Sequence, residues 1–128
     1  MASFGTLKAD TLTHSTAGSL ATNYVVNGSA KAWVNFNGTS TLAVRDSLNH
    51  SSVTDNGTGH YYPNLTSAMA NANYANTAMT VDTGPGNLVC FDGGTSQTTT
   101  QIRIYVFGAN VTIVDASIVC VDYNGDLA

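Results

Sequence analysis

From Ala30 to Asn37 the chain alternates, with Ala30, Ala32, Val34 and Phe36 on one side and Lys31, Trp33, Asn35 and Asn37 on the other. A period of two predicts a strand with one face in a core. Asn37-Gly38 closes it, because both residues tolerate the positive φ of a tight turn. Leu42, Val44, Asp46 and Leu48 then alternate with Ala43, Arg45 and Ser47, giving a second strand. Asp55-Asn56-Gly57, extended by Gly59, makes a hairpin turn before Tyr61-Tyr62. Pro63 has no N–H to donate, so it predicts an edge position or a bend in the outgoing strand.

The pattern continues to the end of the chain. Residues 67–73 (SAMANAN) read as a turn, and Tyr74–Val81 as a strand. Gly84-Pro85-Gly86 is a turn. Leu88–Phe91 is a short strand ended by Asp92-Gly93-Gly94. Ile102, Ile104 and Val106 alternate with Arg103, Tyr105 and Phe107, and their apolar character on both sides predicts a central strand. Gly108-Ala109-Asn110 leads to a strand at Val111–Val114, Asp115 bends the chain, and Ser117–Tyr123 supplies the last strand. Eight or nine short strands, spaced by turns every 8–12 residues or so, predict an all-β antiparallel sandwich or jelly-roll-like domain.

Residues 1–23 differ. They are rich in Thr, Ser and Ala, and their large apolar residues are Phe4, Leu7, Leu12 and Leu20, too few for a core. Gly18 marks a break, and Asn23-Tyr24-Val25-Val26 predicts the first strand of the domain. The expected organisation is therefore an extended N-terminal arm or anchor at 1–23, which must lean on something else, and a single sandwich domain at 24–128.

Composition supports this reading and excludes several functions. Charged residues make up 9% of the chain, all eight acids are Asp, and Lys and Arg number four. Glu, Lys and Arg usually clothe exposed helices, so their scarcity argues for strands with hydroxyl and amide surfaces. A net charge of −4 with scattered cations (Lys8, Lys31, Arg45, Arg103) argues against nucleic acid, whose phosphates demand a basic patch. No apolar run reaches the roughly 18–20 residues of a membrane-spanning helix. The N-terminus carries no signal-peptide core.

Candidate chemistry is sparse. His14, His50 and His60 lie in loop-like segments without metal-ligand spacing, so no metal and no cofactor is expected. A histidine near a threefold axis is the conditional exception. No Gly-x-Ser-x-Gly elbow occurs, and the Asp residues sit at turns or bends rather than as a pair suited to glycoside hydrolysis. The chain is read as non-enzymatic. Asp122–Asp126 and Asp92-Gly-Gly echo calcium loops without the closing Glu, and plain turns explain them. Cys90 and Cys120 fall in apolar strands without CxxC spacing and read as buried, reduced thiols rather than a disulfide. Six Asn-x-Ser/Thr sequons, at Asn27, Asn37, Asn49, Asn56, Asn64 and Asn110, read as turns. What is left is binding by surface: Trp33, Tyr61, Tyr62 and Tyr74 are the candidate subunit or ligand contacts, with packing or a subunit contact favoured over a ligand for Trp33 and the Tyr61-Tyr62 pair, since aromatic rings fill a core, cover a neighbouring subunit or stack on sugars.

The strings GSAKAWVNFNGT, RDSLNHSSVTDNGTGHYY and SAMANANYA, with LKADTLTHSTAGS upstream, resemble a family of tail-fibre and related virion appendage proteins of bacteriophages, especially marine and cyanobacterial ones. The resemblance covers about residues 6–80, and the last fifty residues depart from it. It carries no catalytic residues. It implies a non-enzymatic, homotrimeric, β-rich module on the exterior of a phage particle, made in the bacterial cytoplasm. Its partners would be itself, other virion proteins through the N-terminal arm, and a host-surface glycan, with no nucleic acid and no membrane insertion. Fibres of this family are usually longer and carry the module at their C-terminal end, whereas here Met1 opens nearly straight into it. The expectation is thus a short tail-fibre or spike-type module. The alternatives are a capsid or tail decoration (cement) protein and a carbohydrate-binding module.

Overall fold

A computed structural model of the chain describes residues 8–81, 88–91 and 97–128. Among the described residues there are ten strands, one short α-helix and a single 3-10 turn at Ala109–Val111: β1 (Thr11–His14), β2 (Gly18–Ala21), α1 (Thr22–Gly28), β3 (Ala30–Asn37), β4 (Ala43–Leu48), β5 (His50–Asp55), β6 (His60–Leu65), β7 (Ala75–Val81), β8 (Leu88–Phe91), β9 (Ile104–Phe107) and β10 (Ile118–Asn124). Eight of these strands build two four-stranded antiparallel sheets, β4-β3-β10-β7 and β5-β6-β9-β8, packed as a sandwich. The all-β expectation holds.

Alternation sets the core. In β3, Ala32, Val34 and Phe36 turn inward, and Val119, Val121 and Tyr123 do so from β10. The second sheet answers with Tyr61 and Leu65 from β6 and Ile104 and Val106 from β9. Burying each large apolar side chain contributes about 1.5–3 kcal/mol, so this double layer dominates the stability. Phe36 and Tyr61 meet edge to face across the sandwich with ring centroids 5.1 Å apart.

One residue carries the chain from sheet to sheet. Asn49, between β4 and β5, adopts φ 56°. Its amide donates to the Lys31 and Ser67 carbonyls at 3.3 and 3.2 Å, and its Oδ1 accepts from the Ser67 N–H at 2.7 Å. Asparagine suits the left-handed conformation because its side chain satisfies backbone groups locally.

Several local expectations are corrected. Asn23–Val26 is not a strand but lies in α1, and the sandwich begins at Ala30. Pro63 sits inside β6, which is an interior strand: its carbonyl accepts from the Ile102 N–H at 3.4 Å but it has no N–H to return, so the β6–β9 ladder of His60 and Tyr61 breaks there and resumes as a single bridge between Asn64 and Gln101. Val111–Val114 is not a strand. Asn110 and Val111 take φ 64° and 59° there, and Val111 is 77% exposed. The left-handed residue of the turn after β3 is Ser40 (φ 59°), while Asn37 caps the turn by accepting from the Thr39 hydroxyl at 2.8 Å. The turn at 84–86 and the Asp92-Gly93-Gly94 stop lie outside the described residues.

The described part of the N-terminal segment is folded. β1 and β2 form a hairpin about Gly18 (φ 94°), and α1 follows directly. The Thr22 N–H and hydroxyl donate to the Asp10 and Ala9 carbonyls at 2.9 and 2.7 Å, tying the helix start to the strand. Yet α1 contains no buried residue, and all four residues of β1 are exposed. This hairpin–helix unit stands outside the sandwich core.

Candidate functional surface

The four aromatic candidates separate into two pairs. Tyr61 is fully buried: its hydroxyl donates to Asp115 Oδ1 at 2.7 Å, with the Gly38 carbonyl 3.1 Å away as a second acceptor. The same Asp115 oxygen accepts the Gly59 N–H at 2.7 Å. Burial, reinforced by the Asp115 carboxylate, pushes the phenol well above its ordinary range, so it is always a donor. Gly38 is required by space rather than by its φ, since a Cβ there would lie 2.3 Å from the Tyr61 hydroxyl. Tyr74 is also in the core, with its hydroxyl donating to the Thr98 carbonyl at 2.9 Å and its phenol pushed up to about 12 by burial. Both rings are side chains of the sandwich core, whereas a surface position was expected of them.

Trp33 and Tyr62 do reach the surface, on opposite sides of the sandwich. Trp33 points outward from β3, because its neighbours Ala32 and Val34 point inward. Register brings Leu48 of β4 and Asp122 of β10 beside it, and Met79 of β7 beside Cys120 of β10. Trp33, Asn35, Thr77, Met79, Cys120 and Asp122 line an open groove of about 420 Å³. Met79 is 69% exposed, Val81 56% and Leu48 49%. The face is mixed: Trp33, Met79 and Cys120 stand among Asn35, Thr77 and Asp122, Asp46 lies beside Asn35 in the register, and Arg45 donates to Asn35 Oδ1 at 3.3 Å.

Tyr62 belongs to an aromatic strip on the outer face of the other sheet. His60 stacks on Tyr105 with centroids 4.0 Å apart, Tyr62 meets His60 edge-on at 4.8 Å, and Phe107 lies 6.1 Å from Tyr105. The Arg103 guanidinium sits 5.1 Å over the Tyr62 ring. Amides frame the strip: Asn56 donates to the Tyr62 hydroxyl at 3.1 Å, and Gln101 donates to Asn64 Oδ1 at 2.6 Å.

No family model, curated protein or solved structure matches the chain.

The remaining candidates take structural places. His14 accepts backbone N–H groups within its own hairpin turn, His50 packs 5.2 Å from the Tyr123 ring, and His60 belongs to the strip. Among the described residues no group of three His, Cys, Asp or Glu is placed to hold a metal. Cys90 and Cys120 are free thiols, one in each sheet. Asp55 forms the hairpin turn, accepting the Gly57 N–H at 3.0 Å, whereas Asp122 stands inside β10. Of the sequons, Asn37, Asn49, Asn56 and Asn110 lie at strand ends or in turns, Asn64 inside β6 and Asn27 inside α1. No described helix is long and apolar enough to cross a membrane.

Sequence reading missed Met79, Cys120 and Leu48 on the tryptophan face. Their signal was present in β10, where Ile118-Val119-Cys120-Val121 is apolar on both sides. It missed the role of Asp115 for a different reason: 54 residues separate it from Tyr61.

Proposed function

We propose that this chain is a non-enzymatic structural protein of a bacteriophage particle, a short tail-fibre or spike-type module that assembles as a homotrimer on the virion exterior. The observation that carries the reading is a chain left incomplete by its own fold. The hairpin–helix unit buries nothing in α1, and the outer face around Trp33 leaves Met79, Val81 and Leu48 to water. Large apolar side chains grouped on a sheet face mark interaction surfaces, and Met79 and Val81 stand together on β7. The resemblance of residues 6–80 to phage appendage modules supports the same reading. A capsid or tail decoration protein would use the same architecture at hundreds rather than a few copies per particle, so copy number by quantitative mass spectrometry of purified particles separates the two.

The aromatic strip favours a second reading, a carbohydrate-binding module in which Tyr62, Tyr105 and Phe107 meet sugar rings and Asn64, Gln101 and Arg103 meet hydroxyls. Light scattering separates the readings. A species three times the 13.3 kDa chain supports the appendage module. A monomer that binds glycans on an array, and loses them on Tyr62→Ala, supports the second.

A further inference from the structure

We infer that Asn27 is a self-modifying site, at which the single chain converts its own asparagine to aspartate or isoaspartate. The Gly28 backbone nitrogen attacks Cγ of Asn27, forming an N–C bond and a cyclic imide. The Cγ–Nδ2 bond breaks, and the amide nitrogen leaves as ammonia with the proton of the Gly28 N–H. Water then opens the ring. Attack at Cγ gives aspartate, and attack at the backbone carbonyl gives isoaspartate. Nothing is oxidised or reduced, and solvent water is the one co-reactant.

Four Asn-Gly pairs share this chemistry, at Asn27, Asn37, Asn56 and Asn124, because glycine has no Cβ to obstruct its own nitrogen. The fold separates them. Asn37 is held at both ends of its amide, donating to the Thr39 carbonyl at 2.9 Å and accepting from the Thr39 hydroxyl at 2.8 Å. The Gly38 N–H beside it donates to the Ala116 carbonyl at 2.9 Å. Asn56 donates to the Tyr62 hydroxyl at 3.1 Å, and the Gly57 N–H donates to Asp55 Oδ1 at 3.0 Å. A nitrogen bonded to a carboxylate gives up its proton less readily. Asn124 is paired to Ala30 on one side and Ala75 on the other, and donates to Asp122 at 3.2 Å. A Cβ on Gly125 would lie 2.7 Å from the Tyr74 Cβ, so this backbone has no room to turn.

Asn27 has none of these restraints. It is exposed in the last turn of α1, and its side chain makes no hydrogen bond among the described residues. Gly28 borders open space, since a Cβ there would meet nothing within 4 Å. Lys31 donates to the Val26 and Ser29 carbonyls, on either side of the pair, and makes no bond to Asn27 or Gly28. Attack requires the helical turn to open. With seven residues, no side-chain N-cap and nothing buried, α1 opens readily.

The product differs in kind from its surroundings. Residues 11–28 contain no Asp, Glu, Lys or Arg, so the new carboxylate is the first such charge in the segment, placed where the helix dipole opposes it. Isoaspartate also lengthens the backbone by a methylene, which removes the Ser29 N–H bond to the Val25 carbonyl at 3.2 Å.

The test ages the full chain at mildly alkaline pH, dilute enough to be monomeric by light scattering, and follows each pair by peptide mapping and mass spectrometry. Chromatography resolves aspartate from isoaspartate. Asn27 should convert about tenfold or more faster than each other pair, because sheet residues open only near the free energy of global unfolding. In denaturant the four rates should converge. Gly28→Ala, which places its methyl in open space, should suppress conversion at Asn27 and leave the melting temperature unchanged. Conversion of another pair as fast as Asn27 in the folded chain overturns the inference. So does an Asn27 that converts only in denaturant, a preference for Asn27 that persists in denaturant, or a rate that Gly28→Ala does not lower.

Discussion

Replacing Tyr61 by Phe tests the central packing of the sandwich with a single oxygen. The ring stays, so Phe36 keeps its edge-to-face partner at 5.1 Å. What goes is the donor to Asp115 Oδ1 at 2.7 Å and, secondarily, to the Gly38 carbonyl. A hydrogen bond to a charged acceptor contributes about 1.5–3 kcal/mol. Asp115 keeps the Gly59 N–H, so its carboxylate is not wholly abandoned, which places the expected loss near the middle, about 2 kcal/mol. For a chain of 128 residues that is a fall in melting temperature of roughly 5–12 °C, read by calorimetry or near-ultraviolet circular dichroism. The Tyr123→Phe variant is the internal control. The Tyr123 hydroxyl is buried with no hydrogen-bond partner among the described residues, so removing it should leave stability unchanged or raise it slightly. Equal destabilisation by the two variants, or a Tyr61→Phe change within 2 °C or so of the parent, would refute the reasoning that the Asp115 bond, rather than ring burial alone, holds the two sheets together.

Other outcomes follow from the same geometry. Gly38→Ala should destabilise by about 1–3 kcal/mol or more, because the new Cβ would meet the Tyr61 hydroxyl at 2.3 Å; combined with Tyr61→Phe it should cost less than the sum, checked by a double-mutant cycle on chemical denaturation. Burial lowers the His50 pKa from 6.5 to about 4, opposed by the nearby Asn64 backbone. The unfolded chain therefore takes up this proton first as pH falls. Stability from this group is complete above pH 6.5 and lost down to about pH 4. With the ring partly open to water the loss is about 1–2 kcal/mol, and denaturant titrations of His50→Phe should show a flatter slope between pH 6.5 and 5 or so. Tyr74→Phe removes one neutral bond to the Thr98 carbonyl and should cost about 1 kcal/mol by the same assay.

The strands that define the sandwich were legible because their alternation is strict. In β3 every second residue is buried, and the Asp55–Gly57 turn announces the hairpin by composition alone. The misreadings have physical causes. Asn23–Val26 has β-branched residues and no helix cap, and α1 indeed lacks a side-chain cap; strand propensity pointed one way while local hydrogen bonds to Ala9 and Asp10 decided the other. Val111–Val114 looks like a strand by residue type, but Asn110 and Val111 are left-handed, which composition does not disclose for valine. Pro63 reads as an edge residue, whereas an interior strand holds it at the break in the β6–β9 ladder, which the sequence does not mark. Tyr61 and Tyr62 are adjacent and chemically identical, so only the strand register assigns one to the core and the other to the surface. The outer face around Trp33 is assembled from four strands, and which side chains share it emerges only from their order.

Hydrogen exchange of residues 11–28, followed by mass spectrometry at two protein concentrations, tests the central claim most directly: that this chain is completed by its own copies. An arm without a partner should exchange almost freely, since neither its hairpin nor its seven-residue helix is stable alone. The account predicts strong protection of 11–28 where light scattering reports the trimer and its loss on dilution to monomer, with β3 and β10 protected throughout. Arm protection that is the same at both concentrations would contradict it.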